Sequence, residues 1–126
     1  MIIIVATDKL FASYDVFEAK IDSLIGVPKK KHKLAIGTYR GTDAMIKTYA
    51  KTHHIGTVPV GNDEKDAYQK YSKIVKLCAA LDDECVFVIF AGSRDQAVED
   101  LRAIGINNDV AVHIVNYRNF RVNVEV

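Results

Sequence analysis

The residues of this chain best suited to chemistry lie in Leu34 to Asp43, Leu-Ala-Ile-Gly-Thr-Tyr-Arg-Gly-Thr-Asp. A short apolar run stops at Gly37, and a helical pattern opens after Arg40-Gly41. A strand that ends on a small residue and feeds a helix leaves backbone N–H groups pointing at one spot, and these favour an anion such as a phosphate. The Arg40 guanidinium is placed to add a bidentate contact there. Two further turns follow apolar runs, Thr7-Asp8-Lys9 and Gly92 to Gln96. Ser93-Arg94-Asp95-Gln96 also fits a capping box, with Ser93 as N-cap and Gln96 three residues on. Tyr14 and Tyr39 are aromatic surfaces either for a base or for the edge of the core.

The elements that would hold these turns can be read from periodicity. Ile2 to Ala6 is a continuous β-branched run, as in a strand buried on both faces. The pattern predicts helices over Ser13 to Ile25, Thr42 to His53, Lys65 to Leu81 and Arg94 to Ile104. It predicts further strands at Leu34 to Gly37, Thr57 to Val60, Cys85 to Phe90 and Val110 to Val115. Phe120 to Val126 alternates as a terminal edge strand. Pro59 places its strand at an edge. Alternating strands and helices imply an α/β, Rossmann-like three-layer sandwich: a mostly parallel sheet of about five strands plus the C-terminal edge strand. Ligands of such sheets bind outside the strand C-termini, at the switch point of strand order, where the three turns would converge.

Composition narrows the classes. The 126 residues suit one domain, 1–126, with 49% apolar and 26% charged residues. A net charge of +1 argues against affinity built on many duplex phosphates, so nucleic acid is the least favoured partner despite the basic run Lys29 to Lys33. Cys78 and Cys85 make no disulfide framework and read as reduced thiols. The Ile2 to Ala6 run is too short for a membrane span or a signal peptide, so a cytoplasmic protein away from membranes is expected. His53 and His54 are adjacent, diverge on a helix and suit its C-terminal dipole better than a metal. No Cys or His cluster has metal-ligand spacing, and neither metal nor cofactor is expected.

With the turns placed, the chain resembles the SLOG superfamily of small Rossmann-like proteins, which includes the Lonely Guy phosphoribohydrolases and the DNA-processing protein of natural transformation. Short stand-alone members carry a strand ending in Gly-Gly-Ala-Arg-Gly-Ala-Asp-Ala. Gly37-Thr38-Tyr39-Arg40-Gly41-Thr42-Asp43-Ala44 matches at Gly37, Arg40, Gly41, Asp43 and Ala44. Ala6-Thr7-Asp8-Lys9-Leu10-Phe11 stands where the family has Thr-Gly-Ser-Arg-Asp-Phe after its first strand, and Val88 to Arg94 occupies the third Gly-rich turn. Lys9 keeps the charge of the family's first-turn arginine but lacks its fork.

The resemblance implies a crevice for a nucleotide or nucleotide-derived ligand, an ADP-ribose-like signal or a nucleoside monophosphate. Its expected contacts are Thr7, Asp8, Lys9, Gly37, Thr38, Tyr39, Arg40, Gly41, Thr42, Gly92, Ser93 and Arg94. Glu99 aligns with the glutamate that helps Lonely Guy enzymes cleave an N-glycosidic bond. Asp43 stands as a second catalytic carboxylate, as a ribose acceptor, or as a residue complementing its helix N-terminus. Ser93, Asp95 and Gln96 replace the second Gly, third Gly and Thr of the Lonely Guy turn, which favours binding over phosphoribohydrolase turnover. Single-stranded nucleic-acid binding is the third reading. The superfamily also implies a homo-oligomer, a dimer, with Phe120 to Val126 as an edge to cover.

Overall fold

The computed structural model describes residues 1–26, 31–81 and 84–119. The elements run β1 (Ile2–Thr7), α1 (Tyr14–Ile25), β2 (Lys33–Ile36), α2 (Arg40–His53), β3 (Gly56–Pro59), α3 (Ala67–Ala79), β4 (Cys85–Ala91), α4 (Gln96–Asn107) and β5 (Ala111–Asn116). A short 3-10 turn, Tyr117–Asn119, follows. The five strands form one sheet in the order β3-β2-β1-β4-β5, with every pairing parallel. This is the expected α/β three-layer sandwich. The expected edge strand Phe120 to Val126 lies outside the described residues, as do Lys29 and Lys30 of the basic run. Among the described residues no helix is long and apolar enough to cross a membrane.

Alternation along the central strands explains the two layers. Ile2, Ile4 and Ala6 of β1 face α3 and α4, packing with Tyr71, Ile74, Val75, Cys78 and Val98. Ile3 and Val5 face α1 and α2, packing with Phe17, Ile21, Ile46 and Tyr49. Both faces of β1 are covered, so every position from Ile2 to Ala6 is apolar. Each such side chain contributes about 1.5–3 kcal/mol on full burial. Pro59 sits in β3 at the sheet edge, as its missing N–H requires.

Helix ends follow local chemistry, with corrections to the sequence reading. Ser13 caps α1 through the Val16 N–H, and Gly26 ends it at a φ of 57°. α3 starts at Ala67 because Asp66 caps it through the Gln69 N–H, and Leu81, expected inward, is 41% exposed beyond its end. α4 starts at Gln96 because Asp95 is its N-cap, accepting from the Val98 N–H at 3.0 Å. The capping box expected from Ser93 to Gln96 is therefore not formed. The cap lies two residues further on, at Asp95. The Cys78 thiol is buried, and burial pushes its pKa up to about 11, so it stays protonated.

Candidate functional site

The strand order reverses between β1 and β4, and the C-terminal ends of these two strands open into a cavity of about 800 Å³. The three turns meet there. The Thr7 and Thr42 hydroxyls are 2.8 Å apart. The Gly92 N–H donates to the Asp8 carboxylate at 2.8 Å. Of the expected contact residues, Thr7, Asp8, Lys9, Tyr39, Gly41, Thr42 and Ser93 line the cavity. Gly37, Thr38, Arg40, Gly92 and Arg94 do not, and neither do Asp43 and Glu99.

Asp8 is the polar centre of the crevice floor. Its carboxylate accepts from the Leu10 and Phe11 N–H groups at 3.1 and 2.9 Å, and from Gly92 across the sheet. The Tyr117 hydroxyl donates to it as well, at 2.8 Å, which raises the Tyr117 pKa together with burial. These donors fill the lone pairs of the anion, so Asp8 binds the loops together. At Gly92 a Cβ would meet the Tyr117 hydroxyl and the Arg118 side chain, which would have to move aside.

The middle turn satisfies itself. The Asp43 carboxylate accepts from the Gly37 and Thr38 N–H groups at 3.1 and 3.0 Å and from the Thr38 hydroxyl at 2.7 Å. The backbone donors that could have cradled an anion at Gly37 and Thr38 are thus occupied from within. Gly37 has a φ of 115°, and a Cβ would run into the Gly61 backbone.

Among the described residues four helices begin near the sheet's C-terminal edge, and three carry a side-chain N-cap: Ser13, Asp66 and Asp95. α2 differs. Its N-cap is Tyr39, which makes no side-chain cap bond. The first turn of α2 places Gly41 and Thr42 in the cavity wall with exposed Arg40 beside them. Lys9 adds an exposed cation to the cavity lining. Glu99 lies elsewhere. Its carboxylate pairs with Arg94 at 2.7 Å and approaches Arg102 at 3.9 Å, on a partly exposed stretch of α4.

The start of α3 forms a wall that the sequence reading missed. Lys65, Asp66 and Ala67 line the cavity, and the Tyr39 hydroxyl donates to the Lys65 carbonyl at 2.8 Å. Burial and the neighbouring Asp66 raise the Tyr39 pKa. Lys70 lies 5.3 Å from the Tyr39 ring centre and donates to the Asn62 carbonyl, which fixes the ring. The signal was available, since the β3–α3 connection also leaves the C-terminal edge of the sheet. Phe11, Ile89, Phe90 and Leu101 supply the apolar part of the lining. Among the described residues no group of three potential metal ligands falls in this crevice.

Comparison with known proteins finds no match to this chain among protein-family models, curated proteins or solved structures.

Proposed function

We propose that the crevice binds a nucleotide or nucleotide-derived ligand, of the ADP-ribose or nucleoside-monophosphate class, with a phosphate at the first turn of α2. The observation that carries this reading is the α2 N-terminus without a side-chain cap, whose Gly41 and Thr42 line the cavity beside Arg40, with Lys9 also in the lining. Uncapped N–H groups and the helix dipole favour an anion, and two cations add to it. Tyr39, held by Lys65 and Lys70, offers a ring face for a base. The spacing of Gly37, Arg40, Gly41 and Asp43 that resembles the SLOG superfamily supports the same ligand class.

Binding is favoured over N-glycosidic hydrolysis. Asp43 is spent on the Gly37–Thr38 backbone, and Glu99 is paired with arginines outside the cavity wall. A general acid or base must reach the reacting atoms. The expected homodimer belongs to the same proposal, supported by the exposed Leu77 and Ile106 on the adjoining helices α3 and α4.

The test is thermal unfolding with AMP, NAD and ADP-ribose. A ligand at about 100 times its dissociation constant adds roughly 2.7 kcal/mol of stability. Arg40→Ala should abolish the shift while leaving the unliganded Tm unchanged, since Arg40 is exposed. No shift with any of the three compounds would overturn the proposal. Release of free base by the wild type would restore the hydrolase.

A further inference from the structure

A second polar cluster lies between α1 and α2, and none of its residues lines the crevice. Glu18 and Asp22 are four residues apart on α1, which sets them on one helical face. His53, the last residue of α2, reaches across to them, with its Nε2 3.0 Å from a Glu18 carboxylate oxygen. One donor atom from each of the three lies within 4.8 Å of the other two.

The surroundings hold these groups in place. The Tyr49 ring stacks on the His53 imidazole with centres 4.1 Å apart. The Tyr49 hydroxyl donates to Asp22 at 2.5 Å. The Tyr14 hydroxyl, one turn before Glu18, is buried and has no hydrogen-bond partner among the described residues. Two carboxylates and one imidazole thus converge with a buried, unsatisfied oxygen at their margin. This mixed nitrogen and oxygen donor set is of a kind that transition-metal ions take.

We propose that Glu18, Asp22 and His53 form a three-ligand site for a divalent transition-metal ion of the zinc type, cross-linking α1 to α2. The donor set selects the class. Imidazole suits zinc and its neighbours, whereas magnesium and calcium take oxygen ligands. Zinc bonds imidazole nitrogen and carboxylate oxygen at about 2.0–2.2 Å, so neighbouring donors sit roughly 3.0–3.5 Å apart. The Glu18–His53 separation of 3.0 Å meets that spacing. Three protein ligands leave one position for water or an anion.

The test is calorimetric titration of zinc chloride into chelator-treated protein, with Tm measured alongside. Wild type should bind zinc saturably and gain Tm. Glu18→Gln and His53→Ala should each weaken binding by about tenfold or more, the loss typical of a damaged metal site. Asp22→Asn keeps an acceptor for Tyr49 and should fold, yet lose the zinc-dependent rise in Tm. His54→Ala, in the exposed neighbouring position, should change nothing. Absence of saturable binding would overturn the proposal. So would zinc binding that survives all three ligand substitutions, or that is lost only in His54→Ala.

Discussion

The crevice floor and the α1–α2 seam both bring carboxylates into partly buried positions, and they treat them in opposite ways. Asp8 in the crevice and Asp43 in the turn beside it face backbone N–H groups, and the chain itself supplies the donors each anion needs. In the seam, Glu18 and Asp22 face side chains: an imidazole and a phenol. A carboxylate surrounded by amides fixes the backbone around it, whereas one that meets an imidazole or a phenol ties one helix to the next. Acidic residues near a Rossmann-like crevice are therefore poor guides to catalysis until their donors are counted.

Substitutions at the crevice carboxylates should break this comparison most severely. Asp8→Ala takes the acceptor from the Leu10 and Gly92 N–H groups and the Tyr117 hydroxyl, while the Phe11 N–H keeps the backbone carbonyl of residue 8. Unsatisfied buried donors cost about 1–3 kcal/mol each. We expect a loss of about 3 kcal/mol or more in urea unfolding. Asp43→Ala should cost about 2–3 kcal/mol by the same reasoning, because three donors at Gly37 and Thr38 lose their partner. A near-neutral result for either would reassign that residue to ligand binding.

A smaller effect is expected at Lys20 and His113. Lys20 of α1 is buried, and its ammonium lies 2.8 Å from the His113 Nδ1 on β5. Burial, then the Lys20 charge, lowers the His113 pKa below its ordinary value. The folded state therefore binds fewer protons here than the unfolded chain, whose histidine titrates near about 6.5. This contribution to stability is present above that pH and is lost as the pH falls through the lower folded value. Unfolding free energy measured from pH 7 to 5 should fall less steeply in His113→Gln than in wild type. An identical slope would remove His113 from the account. The smallest change is expected for Glu99→Gln, since exposed ion pairs contribute about 0–1 kcal/mol. Unchanged stability and unchanged ligand response would separate Glu99 from Asp8 and Asp43.

The architecture was legible because its causes are local. The unbroken apolar run Ile2 to Ala6 announces a strand covered on both faces, and Pro59 announces an edge. Gly26 ends α1 where a left-handed residue is needed. The site was half legible. Thr7, Lys9, Gly41 and Thr42 reach the cavity because the sheet brings strand ends together. The partners of Asp8 were hidden, since nothing around residue 8 reports that the amide of residue 92 will arrive. Asp95, not Ser93, caps α4, and both residues carry a side chain able to cap. Lys20 escaped notice because its charge argued for solvent, although it stands three residues after Phe17 in the apolar stripe.

The bond from Tyr117 to Asp8 spans 109 positions of the chain. β1 is central in the sheet, yet its β4 neighbour begins only at Cys85. During synthesis, the first strand waits with one edge unpaired while most of the protein is made. Contacts of such long range form late, after the loop-closure entropy has been met. The crevice floor is therefore completed only after residue 117 is made, and a nascent chain stalled before it would lack the hydroxyl that Tyr117 donates to Asp8.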